Sequence, residues 1–169
     1  MAPPRPLPDQ AEARAQFPAL AGETVYLENA GGSQVPSQVA DRMHRYMTQT
    51  YVQLGAGYPV SKQSTATVDD AHAFARVLLN AGDGHAIIGS SSTALLNNLA
   101  AAYAKVWQKG QKIILAETGH EANLGCWKHL EAVGAEIVWW RMDRETFALP
   151  LEGLAALLDD RTSLVALPH

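Results

Sequence analysis

Four consecutive hydroxyl residues, Ser90-Ser91-Ser92-Thr93, follow Gly89 at the end of the apolar run Ala86-Ile87-Ile88 and open a segment with helical spacing from Ala94 to Trp107. Strand, hydroxyl-rich turn and helix in that order can hold an anion. The first N–H groups of a helix have no internal acceptor and stand at the positive end of its dipole. Serine and threonine side chains add donors at the same point, so the turn is a candidate phosphate cup. A plain N-cap by Ser91 or Ser92 explains the same residues, and capping is the commoner use of serine before a helix. A second polar stretch, Glu117-Thr118-Gly119-His120-Glu121-Ala122-Asn123, also leaves a predicted strand. His120 can stack on a ring or move a proton near neutral pH, and it is equally at home beside a water-exposed helix start. If the two strands are neighbours, both loops stand at one rim, and a phosphate in the first would put an aromatic ring beneath the imidazole of the second. A third stretch, Glu28-Asn29-Ala30-Gly31-Gly32-Ser33, has a glycine pair that lets backbone approach a ligand or simply turn.

The elements that must position these residues fall into three segments. Residues 1–16 read as a flexible Pro-rich leader, and Phe17 is the first of the apolar anchors. Residues 17–84 read as an N-terminal segment of helices packing on the main body, after a short strand candidate at Val25-Tyr26-Leu27. One helix starts at Pro36, with Val35, Val39, Met43 and Met47 as an inward stripe and His44 facing solvent. A loop covers Gln53 to Pro59. A second helix runs from Thr67 to Asn80, with Val68, Ala71, Ala75, Leu78 and Leu79 inward. Residues 85–169 alternate strictly: strand 85–88, helix 93–107, strand 112–116, helix 121–133, strand 136–140, helix 151–158, strand 163–167. Runs such as Ile113-Ile114-Leu115 are apolar without a break, as in strands buried on both faces. The expected fold class is α/β with a mainly parallel sheet. Ligands of such sheets collect at the carboxyl ends of the strands.

Composition narrows the function classes. The chain has 169 residues, 47% hydrophobic and 18% charged, with net charge −4 and no basic run, which argues against nucleic acid as a partner. Its one cysteine, Cys126, allows no intrachain disulfide and no multi-cysteine zinc site, so no metal is expected. Cys126 itself reads as a small buried hydrophobe. No apolar run is long enough to span a bilayer, and no signal core follows Met1, so a cytoplasmic protein without membrane contact is expected. The glycine spacing of a dinucleotide fingerprint is absent from Ser90-Ser91-Ser92.

The segment from Val25 to Pro36, the Ser90–Thr93 turn, and His120-Glu121-Ala122-Asn123-Leu124 followed by Trp127 resemble the N-terminal half of the class V aminotransferase family, in particular its cysteine desulfurase and selenocysteine lyase-like group. The resemblance runs from Phe17 to His169. It implies a three-layer α/β/α, fold-type I major domain, here incomplete, and the cofactor pyridoxal 5′-phosphate. It implies that Ser91, Ser92 and Thr93 form the cofactor-phosphate loop, although Ser91 stands where the family usually has glycine. It makes His120 the ring-stacking catalytic residue, and it makes Asn29, Ala30 and Gly31 the loop that approaches the substrate carboxylate. Glu121 and Cys126 receive no role from it.

The resemblance further implies a cysteine-like amino-acid substrate and a homodimer in the complete enzyme. Its Schiff-base lysine, pyridine-nitrogen aspartate and phenolic-oxygen asparagine are expected beyond His169, since none of the five lysines stands in a matching context. The chain alone is therefore expected to be inactive, and poorly soluble unless a partner completes its sheet. Two other readings stay open: a non-catalytic α/β phosphate-binding module, and an interaction fragment that pairs with a complementary chain.

Overall fold

The computed structural model describes residues 9–28 and 30–168. The chain divides into two units between Gly84 and His85.

In the first unit, α1 (Gln10–Ala15) is capped by the Asp9 carboxylate, which accepts from Ala11 N–H at 3.3 Å. The described part of the expected leader thus includes a short helix, because Asp9 supplies an acceptor that free N–H groups need; residues 1–8 lie outside the described residues. Val25-Tyr26-Leu27, expected as a strand, forms none among the described residues. The next helix, α2 (Ser37–Arg45), has Pro36 as its N-cap and continues as one π-type turn to Thr50.

The helix α3 (Pro59–Leu78) begins eight residues before the expected Thr67. Its first turns, Ser61-Lys62-Gln63-Ser64-Thr65, have modest helix propensity and are held by tertiary bonds instead. Ser61 Oγ donates to Gln53 O at 2.6 Å and accepts from Ala56 N–H at 2.9 Å, and Ser64 Oγ donates to Thr50 O. Both serines are fully buried, so the Gln53–Tyr58 loop is pinned to α3 by hydroxyls. The apolar stripes do not face inward. Val35, Val39, Met43 and Met47 are 47–69% exposed, and Ala71, Leu78 and Leu79 are exposed too. The hydroxyls of α3 tie it to the π-type turn and the loop after it, and no described element covers these apolar faces, which is why the stripes stay exposed.

The second unit is the α/β body. A parallel sheet of β1 (Lys112–Ala116), β2 (Glu136–Trp140) and β3 (Thr162–Ala166) has the order β2-β1-β3, with Ile114 opposite Val138 on one side and Val165 on the other. All five residues of the central strand are buried. Alternation along β1 feeds two cores. Ile113 and Leu115 pack with Ala100 of α4 (Ser92–Ala104), with Leu124 and Trp127 of α5 (Glu121–Lys128), and with Leu130 of the 3-10 turn that follows. On the opposite face, Ile114 and Ala116 pack with Trp140 and with Leu154 and Leu157 of α6 (Leu151–Leu157). This is a three-layer α/β/α arrangement.

The expected strand at 85–88 is not part of the sheet. Ile87 is 70% and Ile88 51% exposed, and the described sheet does not extend to this segment. The expected helix 121–133 ends as α5 at Lys128 and a 3-10 turn to Val133. Gly134 then turns the chain at φ +92°, where a Cβ would meet Lys109 Cγ at 2.8 Å.

Candidate active site

At the start of α4 the backbone of Ser91 is extended, and its Oγ accepts from Ala94 N–H at 3.1 Å while its carbonyl accepts from Leu95 N–H at 3.0 Å. Ser91 is therefore the N-cap. The N–H groups of Ser92 and Thr93 have no acceptor among the described residues, and both side chains are exposed. Two amides and a threonine hydroxyl at a helix start form a cup for an anion. Gly89 opens the approach: a Cβ there would meet Leu95 Cδ2 at 2.7 Å.

His120 caps α5 in the same way. Its Nδ1 accepts from Ala122 N–H at 3.1 Å, so the neutral ring carries its proton on Nε2. Gly119 turns the chain out of β1, where a Cβ would lie 2.7 Å from Leu124 Cδ2 and 3.1 Å from Ala116 O. Asn123 holds the start of α5 to the sheet, donating to Leu167 O at 3.5 Å and accepting from Trp127 Nε1 at 3.2 Å. The Tyr103 and Trp127 rings meet edge to face at 5.8 Å and join α4 to α5.

Between these two helix starts lies a hollow of about 410 Å³, lined by Thr93 and Asn97 from α4 and by His120, Glu121, Cys126 and His129. The structure thus brings Thr93 and His120 to one cavity. Asn97 and His129 escaped sequence reading, although spacing could have found them: Asn97 lies one turn after Thr93, and Ala122, Gly125, Cys126 and His129 recur at i, i+3, i+4 and i+7 along one helix face. Cys126 is buried, and desolvation pushes its thiol above the ordinary range, as a buried hydrophobe requires. Ala30 and Gly31 lie in the other unit, where Gly31 N–H donates to Glu28 O at 3.3 Å as in a plain turn; Asn29 lies outside the described residues.

Glu117, at the carboxyl end of β1, serves the scaffold. Its carboxylate accepts from Met142 N–H at 3.0 Å, Arg141 at 3.1 Å and Arg144 at 2.7 Å. The Met142 amide first, then the two guanidiniums, hold it below its ordinary range and tie β1 to the segment after β2. At the amino end, Lys112 Nζ donates to Leu157 O and lies 2.9 Å from Asp159, and its bond to the Asp159 carboxylate draws that carboxyl down to about 2. Among the described residues no lysine lines the hollow, no His, Cys, Asp and Glu gather as a metal site, and no helix is long and apolar enough to cross a membrane.

These features define an α/β protein of the parallel, two-faced kind with an open hollow between the two helices that carry Thr93 and His120. The Aminotransferase class-V family matches residues 25–169, and the chain belongs to that family. It is 43% identical over 162 residues to the aminotransferase-like protein FGM3 of Gibberella zeae, covering 92% of this chain and 40% of that protein. To a cysteine desulfurase of Salmonella gallinarum it is 33% identical over 165 residues, with the same shares covered. The chain spans about 40% of the length of these relatives. In fold it matches the cysteine desulfurase CsdA of Escherichia coli with a TM-score of 0.75 at 24% identity, over 95% of this chain and 41% of that one. The cysteine desulfurase of Thermococcus onnurineus gives 0.72 at 19% identity, over 88% and 37%.

Proposed function

We propose that this chain is the cofactor-phosphate and ring-stacking part of a cytoplasmic pyridoxal 5′-phosphate enzyme of the cysteine desulfurase and selenocysteine lyase-like kind, homodimeric when complete and acting on a cysteine-like amino acid. The observation that carries this reading is the single hollow shared by Thr93 and His120, beside two helix-start amides with no acceptor among the described residues. These residues fit the phosphate end of the cofactor: the donors are backbone amides and a hydroxyl, and the dipole of α4 favours the dianion. When bound, pyridoxal phosphate supplies an electron sink for bond cleavage at an amino acid.

The protein's own groups orient and move protons around it. Ser92 and Thr93 would donate to the phosphate, while Ser91 caps α4 through the Ala94 amide. His120, whose Nδ1 is occupied by the Ala122 amide, would present Nε2 as its proton-carrying atom and would be the residue that stacks on the cofactor. The family resemblance assigns Asn29, Ala30 and Gly31 to the substrate carboxylate in the complete enzyme.

One observation favours a second reading, a non-catalytic phosphate-binding module or a fragment that acts by pairing with a complementary chain: no lysine stands in the hollow. Lys112 is engaged with Asp159, and Lys128 lies over the Trp139 ring at 5.2 Å. Titration with pyridoxal phosphate, followed by borohydride reduction and mass spectrometry, tests both readings. The expected result is induced circular dichroism of the bound cofactor that disappears in His120→Ala, with no covalent adduct on this chain. Absence of any induced signal overturns the cofactor reading; a covalent adduct on one of the chain's lysines overturns the non-covalent module.

A further inference from the structure

A second polar hollow, in the first unit, belongs to none of the machinery above. It measures about 70 Å³ and lies between α2 with its π-type turn and α3. Its walls are Arg42, Arg45, Tyr46 and Gln49 from one side and Gln63 and Thr67 from the other. The spacing explains the convergence, since 42, 45, 46 and 49 recur on one face of a helical path and 63 and 67 are one turn apart on α3.

Neither guanidinium has an ion pair or hydrogen-bond partner among the described residues, and neither do the Gln49 and Gln63 amides or the Tyr46 hydroxyl. The hydroxyls of Thr50 and Thr67 are spent on Tyr46 O at 3.4 Å and Gln63 O at 3.0 Å. Asp41, Asp69 and Asp70 share these helices, yet none lines the hollow or lies within ion-pair distance of Arg42 or Arg45. Two cations therefore face one small cavity beside three neutral donor groups and no carboxylate. Both arginines are solvent-exposed, so the cavity is open to ions from solution, and guanidinium forks match phosphate oxygens in pairs. The volume exceeds the roughly 10–15 Å³ that one water requires and suits a group of a few heavy atoms.

We propose that this hollow is a binding site for a phosphate-sized oxyanion, gripped by Arg42 and Arg45 with Gln49, Gln63 and Tyr46 as further donors. The anion is inorganic phosphate itself or the phosphoryl group of a larger molecule. The site is separate from the cofactor reading, because it lies in the other unit from Ser92 and Thr93.

Arginine-selective labelling with phenylglyoxal, read residue by residue by peptide mass spectrometry, tests it on the intact protein. Inorganic phosphate is expected to slow labelling of Arg42 and Arg45 at least about tenfold, as a charge-assisted contact implies. Arg14 and Arg76 should keep their rates, as should all arginines in chloride of equal ionic strength. Phenyl phosphate protecting as well as phosphate would assign the site to the phosphoryl group of a larger molecule; protection by phosphate alone would assign it to the free ion. Equal slowing of all arginines, or none at Arg42 and Arg45, overturns the proposal. An Arg45→Gln variant gives a second reading without losing a buried group: Arg42 should then label at one rate with or without phosphate, and continued protection of Arg42 counts against a shared anion.

Discussion

Ser91 and Thr93 stand two residues apart in one turn, and the structure gives them opposite duties that mutation can separate. In Ser91→Ala the Ala94 N–H loses its 3.1 Å acceptor. Loss of a serine N-cap costs about 1 kcal/mol, which at roughly 2 kcal/mol per molar urea moves the unfolding midpoint down by about 0.5 M. Binding of pyridoxal phosphate should change little, since the Ser92 and Thr93 amides remain and the Ala94 amide becomes free. In Thr93→Ala an exposed hydroxyl that caps nothing is removed, so stability in the absence of ligand should hold. The lost bond to a charged phosphate is worth about 1.5–3 kcal/mol, or roughly tenfold to a hundredfold in Kd. Urea denaturation and tryptophan-quenching titrations with pyridoxal phosphate, done on both variants, read the two effects. A Ser91→Ala protein of unchanged stability that loses the cofactor, beside a Thr93→Ala protein that keeps it, would refute this division of labour.

Other outcomes follow from the scaffold. The Asp159 carboxyl titrates at about 2 in the folded chain against an ordinary 3.8, chiefly through its bond from Lys112, so its stabilising effect is complete above 3.8 and vanishes as the pH falls through about 2. Asp159→Asn should lower the unfolding midpoint at neutral pH and flatten its dependence across that acid window. Leu130, 1% exposed, should cost about 2–5 kcal/mol when cut to alanine, whereas Met43→Ser on the uncovered stripe should stay within about 0.5 kcal/mol by the same melts. Gly134→Ala forces a side chain into φ +92° against Lys109 and should cost about 1–2 kcal/mol. Alkylation of Cys126, buried and with its thiol pushed up, should proceed only as fast as the chain opens, so its rate should rise with added urea.

What the sequence revealed depended on where each segment's neighbours come from. Lys112–Ala116 and Glu136–Trp140 were readable to the residue, because Ile113-Ile114-Leu115 and Ile137-Val138-Trp139-Trp140 find partners on both faces inside the same unit. Ala86-Ile87-Ile88 has an equally apolar pattern but lies outside the described three-stranded sheet, so periodicity alone did not decide its state. The stripe Val35-Val39-Met43-Met47 shows that periodicity fixes a face without saying whether anything covers it. The early start of α3 was hidden because Ser61 and Ser64 are held by long-range bonds to Gln53 and Thr50, which no local pattern encodes. Thr93 and His120 were legible as loops leaving apolar runs. Their meeting in one hollow required the packing of α4 on α5, and with it came Asn97 and His129.

The central claim is that the unpartnered amides at the start of α4 hold the cofactor's phosphate. Hydrogen exchange at Ser92 and Thr93, measured with pyridoxal phosphate, inorganic phosphate and phosphate-free pyridoxal, tests it most directly. Slowed exchange with the first two ligands and unchanged exchange with pyridoxal is the predicted result; exchange that no phosphate slows, or that pyridoxal slows equally, would contradict it.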